Sequence, residues 1–386
     1  MLEYKKNVIL FKRNLFYKGE KMKTVEKKLI LEILKYNTNS KKIEYIIKNN
    51  EINWMEILGF ISYHRVSGLF YSKMNEINIR LLDYPVFFST YMTNQAQKIR
   101  NENQLKEINK ISKNLNSNNI SYVFLKGTIL NQTIFKSGER ASNDIDILIN
   151  KDSIADVTKI LNKIGYVQGK YDYQSDSIIK YNENELRQSL LIKGETCPFI
   201  KKTNSIAIKT IDVDLNFSLD WTPNYNQNII THILNNREKI TIKNIQIFSA
   251  NLYDNIIELC VHLYKDMALI DIIKKRKVFD LYKLIDVYYF INHYINEIDF
   301  KFLESKIKKF DAQNYVYFAL KYINTMFDDF NHQNILNLIN NLENCITDDE
   351  ILNVIFDQYN RKLKLYTKLD LKERIFRYNI INDYIK

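Results

Sequence analysis

Eight glycines and three prolines in 386 residues leave few places where this chain can turn sharply or break a helix. A many-turned β architecture needs more of both, so long helices are the expectation over most of the length. Hydrophobic residues make up 46%, enough for a sizeable core and too many for global disorder. The length suits two or three domains of ordinary size. From Thr24 to about Leu115 the pattern is helical, with Ile30, Ile33 and Leu34 on one amphipathic face. Trp54 to Ile61 and His64 to Tyr71 continue it. Pro85 marks a break, and a long polar helix runs from about Thr90 to Leu115. From about Leu252 to the end helix returns, without Pro or Gly.

Between these helical regions the texture changes. Ser121-Tyr122-Val123-Phe124-Leu125 is a β-branched and aromatic run that ends at Lys126-Gly127 and enters a short helix, Thr128 to about Phe135. After the turn Lys136-Ser137-Gly138, a second strand spans Asp144 to Ile149. Asp152-Ser153 is expected to cap a helix striped by Ile154, Val157, Leu161 and Ile164, with Gly165 as its left-handed C-terminal cap. A polar stretch precedes a third strand, Ile211 to Phe217, and Lys239 to Phe248 reads as a further strand or hairpin arm. The fold class expected is α/β: a small mixed sheet at 118–250 between a helical region at 1–117 and a helical domain at 251–386.

Bulk charge and cysteines narrow the setting. A net charge of +11 suits a polyanionic partner such as RNA, DNA or a nucleotide triphosphate, and equally suits solvating lysines. Cys197, Cys260 and Cys345 are an odd, widely spaced set, which argues against a disulfide framework and against a zinc site. No apolar run approaches the roughly 20 residues that span a bilayer, so a cytoplasmic chain with no membrane partner is expected. Residues 1–21 carry a net +4 ahead of Met22, which we expect to be an alternative start, leaving 1–21 outside the native protein.

The chemistry concentrates in Arg140-Ala141-Ser142-Asn143-Asp144-Ile145-Asp146. Strand side chains alternate, so Asp144 and Asp146 share one face while Ile145, Ile147 and Ile149 enter a core. Two close carboxylates repel unless a cation neutralises them, and hard oxygen ligands of this kind suit Mg²⁺. Asp214, with Asp212 and Asn216 on the same face of the third strand, can supply another carboxylate to a two-metal site for displacement at phosphorus. Lys126-Gly127 lies at a strand-to-helix junction, where backbone N–H groups and the helix dipole favour an anion. Gly127 allows close approach to a phosphate. Lys126 and Arg140 can counter the charge of a triphosphate and of a leaving pyrophosphate.

Strand, Lys-Gly, helix, Arg-x-Ser-x-Asp-x-Asp and an acid-bearing strand, in this order, resemble the DNA polymerase β-like nucleotidyltransferase superfamily. More closely the chain resembles the bacterial family described as uncharacterised nucleotidyltransferases. The residues that carry the likeness are Leu125-Lys126-Gly127, Arg140 with Asp144 and Asp146, and Leu161-Asn162-Lys163-Ile164-Gly165-Tyr166. His64-Arg65-Val66 with Leu69-Phe70-Tyr71 is similar to that family's N-terminal helical segment. His262-Leu263-Tyr264-Lys265 followed by Asp280-Leu281 is similar to its C-terminal part. The usual Gly-Ser or Gly-Gly is Gly127-Thr128 here, able to donate through a hydroxyl and a backbone N–H. The family's Asp-Leu-His is Asp214-Leu215-Asn216, which favours Asp214 over Asp212 as third acid.

The resemblance implies that Asp144, Asp146 and Asp214 hold two Mg²⁺ ions, with Mn²⁺ as a substitute, and carry the catalysis. It implies that Lys126, Gly127, Thr128, Arg140 and Ser142 bind the nucleotide; His262, on a helix with Tyr264 and Lys265, is a further candidate for the nucleotide pocket, with a structural role as the alternative. The expected reaction moves a nucleoside monophosphate, AMP from ATP foremost, onto a small-molecule or peptide acceptor. The alternatives are an RNA acceptor such as a tRNA end and a non-catalytic nucleotide-binding scaffold. The basic run Lys274-Lys275-Arg276-Lys277 reads as a solvated helix face, and Cys197 lacks a base to activate it.

Overall fold

A computed structural model of the chain describes residues 22–205, 208–220, 226–270, 272–273, 281–346, 351–357, 362–364 and 370–376. Residues 1–21, the run Lys274 to Lys277 and Asp280 lie outside the described residues. Among the described residues five α-helices come first: α1 (Thr24–Ile33), α2 (Ser40–Lys48), α3 (Trp54–Tyr63), α4 (Ser67–Ile77) and α5 (Tyr84–Ser117). Pro85 sits in the first turn of α5, where a missing N–H costs nothing. The helix therefore begins at Tyr84, one residue before the proline and earlier than expected from sequence.

Eight strands form one sheet: β1 (Tyr122–Phe124), β2 (Asp144–Ile149), β3 (Val167–Asp172), β4 (Ser177–Lys180), β5 (Phe199–Lys202), β6 (Thr210–Asn216), β7 (Glu238–Ile242) and β8 (Ile245–Ser249). Their order is β4-β3-β5-β6-β2-β1-β8-β7, with β2 parallel to β6, β1 parallel to β8 and the other pairs antiparallel. The sheet is larger than the small one expected, because the polar stretch after Tyr166 folds as β3, β4 and β5. Its outer strands are largely exposed and carry little of the apolar alternation that marks a half-buried strand. Between the strands lie α6 (Gly127–Thr133), α7 (Ile154–Lys163), α8 (Glu183–Ile192) and α9 (Gln227–Asn235). Gly165 follows α7 at φ +96°, as its position suggested. Ser153 does not cap α7: it already has helical torsions after a 3₁₀ turn over Lys151–Ser153, and its side chain makes no capping bond.

Among the described residues six helices follow: α10 (Leu252–Ala268), α11 (Leu281–His293), α12 (Phe300–Lys309), α13 (Gln313–Met326), α14 (Gln333–Glu343) and α15 (Leu371–Ile375). A short antiparallel pair, β9 (Val354–Phe356) and β10 (Lys362–Lys364), interrupts the stretch expected to be helical throughout. Two cores divide the sheet. On one face Ile145, Ile147, Ile149, Val213 and Leu215 pack with Ile108, Ile111 and Leu115 of α5 and Val157 and Leu161 of α7. On the other, Val123, Leu125 and Leu148 join a core built from both the N-terminal and the C-terminal helices. These helices interlock: the Phe60 and Phe376 rings stack at 4.9 Å, and the Leu281 N–H donates to the buried His64 Nδ1 at 3.3 Å. The second face, where α10 and α11 approach β2, is where the acids stand. Among the described residues no helix is long and apolar enough to cross a membrane.

Candidate active site

Parallel pairing of β2 with β6 sets Asp144 opposite Asp212 and Asp146 opposite Asp214. The intervening Ile145 and Val213 are buried on the opposite face, which commits the four acids to one side. Burial and the charge of Asp146 raise the Asp144 carboxyl above the usual range. Asp214 is pushed well up by burial and by Asp144, Glu195 and Asp146. Asp212 stands further out, raised by burial and Asp144, with the Arg100 guanidinium of α5 nearby. Asp214 feels the charge of both Asp144 and Asp146, whereas Asp212 feels that of Asp144.

Lys126 closes one side. Its Nζ lies 2.8 Å from Asp146 Oδ1, and Asn216 Nδ2 donates to the same oxygen at 3.3 Å. Burial opposes the charge on Lys126, but Asp146 and Glu258 outweigh it and hold the ammonium above the ordinary lysine range. The backbone at Lys126 has φ +47° and ψ −122°, a conformation that costs a residue with a Cβ about 1–3 kcal/mol. A Cβ on Gly127 would lie 2.5 Å from Arg140 Nη1 and 2.8 Å from Ser142 Oγ, so the glycine is needed for the side chains packed on it. The amides that start α6 are not a free row: Thr128 N–H donates to Leu125 O and Ile129 N–H to Lys126 O. The Thr128 hydroxyl is buried and has no hydrogen-bond partner among the described residues. An orphaned buried hydroxyl beside Lys126 marks a place where a ligand oxygen can be received.

Arg140 does not face the acids as a free counter-charge. Its Nε and Nη2 each donate at 2.7 Å to the two carboxylate oxygens of Asp286 on α11. Asp286 thus holds the guanidinium in the place where a phosphate was expected. Ser142 Oγ donates to Asp144 O at 3.2 Å and shapes the entry to β2. His262 lies on α10 with its Nε2 3.0 Å from Lys283 Nζ.

The helices supply groups that motif reading missed. Lys283 of α11 is buried, paired with Asp266 of α10, and acted on by the charges of Lys126, Asp144, Lys265 and Asp146. Burial, with Lys126 and Lys265, holds its ammonium well below the ordinary lysine range. Lys265 lies 3.1 Å from Glu195, whose carboxyl Lys265 holds down at about 2. Burial raises Glu258 of α10 to about 7. The signal was in the sequence: Glu258, His262 and Asp266 form an i, i+4 polar stripe on an apolar helix. Lys283 and Asp286 interrupt another. Charges inside apolar helices are buried charges that need partners.

These groups test whether divalent cations fit. Among the described residues no three ligand-type side chains already stand together around a single metal position; Lys126 carries the counter-charge at Asp146. Yet seven carboxylates (Asp144, Asp146, Glu195, Asp214, Glu258, Asp266, Asp286) meet four cations (Lys126, Arg140, Lys265, Lys283), an excess of three negative charges. The raised carboxyls relieve that excess by taking up protons, and hard divalent cations relieve it equally well. By donor chemistry and charge, the residues fit Mg²⁺ or Mn²⁺.

Residues 50–328 match a family model described as uncharacterised nucleotidyltransferase. One similar solved structure is an antigenic nucleotidyltransferase-like protein from Paracoccidioides brasiliensis, 13% identical over 48% of this chain and 74% of that one, with a TM-score of 0.31. No curated protein matches the chain.

Proposed function

The chain belongs to the uncharacterised nucleotidyltransferase family, and from that premise we propose that it moves a nucleoside monophosphate from a nucleoside triphosphate onto an acceptor hydroxyl, releasing pyrophosphate. The observation that carries this reading is the register of β2 on β6, which stacks Asp144 and Asp146 against Asp212 and Asp214 on one face. Asp144, Asp146 and Asp214 would hold the divalent cations, which supply Lewis-acid stabilisation of charge developing on the transferred phosphoryl group. Asp214 takes the proton as the acceptor oxygen bonds to the α-phosphorus. The bond from that phosphorus to the bridging oxygen breaks, and pyrophosphate departs with its electron pair. Lys126 meets the triphosphate by exchanging Asp146 for a phosphate oxygen, and the Thr128 hydroxyl donates beside it. ATP is the donor we favour.

The test incubates the full chain and Mg²⁺ with each α-³²P-labelled NTP and with cellular RNA or a small-molecule extract. An Asp144→Asn/Asp146→Asn double variant is the control. Label should enter one acceptor pool and disappear in the variant, and the labelled pool gives the acceptor class: small molecule, peptide or RNA. Equal labelling by the variant sinks the reading. Absence of NTP binding under every condition points to a scaffold instead.

A further inference from the structure

Exposed large apolar side chains concentrate on one element, α5, which carries Tyr84, Phe88, Tyr91, Met92 and Ile99. Residues four apart on a helix form a ridge, and one such ridge here is Tyr84, Phe88, Met92, Ala96, Arg100 and Gln104. Its first members are wet: Tyr84 is 71% exposed, Phe88 48% and Met92 49%, and the Tyr84 and Phe88 rings stack at 5.9 Å. Its last member is buried in the site, with Gln104 Nε2 3.5 Å from Asp144 O. At about 1.5 Å per residue the ridge runs roughly 30 Å, from solvent to the first acid of β2.

Where the ridge meets the site, two guanidiniums lack a carboxylate. Arg100 Nη1 donates to the side-chain oxygen of Asn143, the neighbour of Asp144 in the chain, at 3.3 Å. Arg65 Cζ lies 5.6 Å from the Tyr282 ring centre, which Arg140 Cζ approaches at 5.7 Å. Among the described residues neither Arg65 nor Arg100 makes an ion pair, whereas Lys126, Arg140, Lys265 and Lys283 all do. A guanidinium fork matches a phosphate, and exposed rings offer faces on which bases stack. No acid stands on the ridge, and the chain as a whole is basic at +11.

Resting on the reading of the site as a nucleotidyltransferase centre, we infer that the acceptor is a single-stranded polynucleotide laid along this ridge. Its bases stack on Tyr84 and Phe88, its backbone phosphates meet Arg100 and Arg65, and its terminal hydroxyl reaches Asp144 and Asp214. There the terminal sugar oxygen bonds to the α-phosphorus, Asp214 takes its proton, and the bond to pyrophosphate breaks. A small acceptor would need nothing of the ridge beyond Arg100.

The experiment follows the fluorescence anisotropy of an end-labelled oligonucleotide of mixed sequence, as RNA and as DNA, titrated with the full chain over a salt series. Wild type should bind at least one of the two, and the tighter arm identifies the sugar. Tyr84→Ala/Phe88→Ala should weaken binding by about tenfold or more, the scale of lost base stacking. Tyr84→Trp/Phe88→Trp keeps the rings and should retain the affinity. Arg100→Gln should weaken binding and reduce the slope of log affinity on log salt by about one phosphate contact. Tyr45→Ala removes a ring on α2 that is 68% exposed and should change nothing. Binding of neither strand overturns the inference. So does an affinity unmoved in Tyr84→Ala/Phe88→Ala, or lost to the same extent in the Trp variant or in Tyr45→Ala. If Tyr84→Ala/Phe88→Ala turns a dimer into a monomer in sedimentation and leaves oligonucleotide affinity alone, the ridge is a contact between copies and the inference fails. A parallel titration with ATP and Mg²⁺ separates this inference from the reading beneath it. ATP bound with both strands unbound leaves nucleotidyl transfer standing without this acceptor. A strand bound without ATP overturns nucleotidyl transfer, and the acceptor role with it.

Discussion

Removing the Arg140 guanidinium strands Asp286 in a place where neither side chain is more than 7% exposed. The pair makes two hydrogen bonds of 2.7 Å. Breaking a buried pair from one side leaves an uncompensated charge and costs about 3–5 kcal/mol. Arg140→Met and Asp286→Leu should each lower stability by that amount. At roughly 2–4 °C per kcal/mol, the melting temperature falls by about 6–20 °C. The double variant Arg140→Met/Asp286→Leu removes both charges and should recover most of the loss, because apolar replacement of a buried pair is often neutral. The assay is urea and thermal unfolding of the four proteins at pH 7.5, read as a double-mutant cycle. Two results refute the reasoning. One is a double variant whose cost equals the sum of the singles. The other is an Arg140→Met protein that melts like wild type yet loses nucleotide, which would return Arg140 to the phosphate role its motif suggested.

Three further outcomes are expected. Glu258 is raised from 4.5 to about 7, so the folded state holds its proton more tightly than the unfolded chain does, and stability is lost as pH rises through about 7. At about 1.4 kcal/mol per pH unit the loss approaches ~3 kcal/mol. Glu258→Gln should therefore melt like wild type at pH 5 and above it at pH 8.5, and parallel pH curves would show the carboxyl to be unperturbed. Gly127→Ala places a Cβ 2.5 Å from Arg140 Nη1 and should cost about 1–3 kcal/mol in urea unfolding; wild-type stability would mean that the Arg140–Ser142 packing gives way freely. Asp144→Asn should cut transfer about a thousandfold or more while melting no lower than wild type at pH 8, since it removes a charge that Asp146 repels. A lower melting point there would mean that the Asp144 charge stabilises the fold.

The legible part of this site was the part written in local alternation. Asp-Ile-Asp-Ile-Leu-Ile admits one strand orientation, and Ile-Asp-Val-Asp-Leu-Asn another, so the faces of Asp144, Asp146 and Asp214 followed from period two alone. What alternation could not give was partnership. Lys126 and Arg140 stand in the same motif, yet one reaches Asp146 and the other Asp286, more than a hundred positions on. Nothing local in Arg140-Ala141-Ser142 distinguishes a guanidinium bound for a phosphate from one bound for a helix. The outer strands were hidden for the opposite reason: with both faces partly wet, Val167–Asp172 and Ser177–Lys180 have no apolar period to show.

The division of labour between sheet and helices explains why the motif alone is not a site. The strands contribute Asp144, Asp146, Asp212 and Asp214, and the segment between β1 and β2 contributes Lys126 and Arg140. Lys265 and Lys283 come from α10 and α11, which pack against the face of the sheet opposite α5 and α7. A sheet without those helices would hold a row of repelling carboxylates with few counter-charges. Counted as fully ionised, the cluster carries three more negative than positive charges, which favours a cation and opposes an unaccompanied anion unless the raised carboxyls take up protons. On the proposed function, the nucleotide would enter together with its cation or after it, the lysines being released from their carboxylates as the cation neutralises the acids.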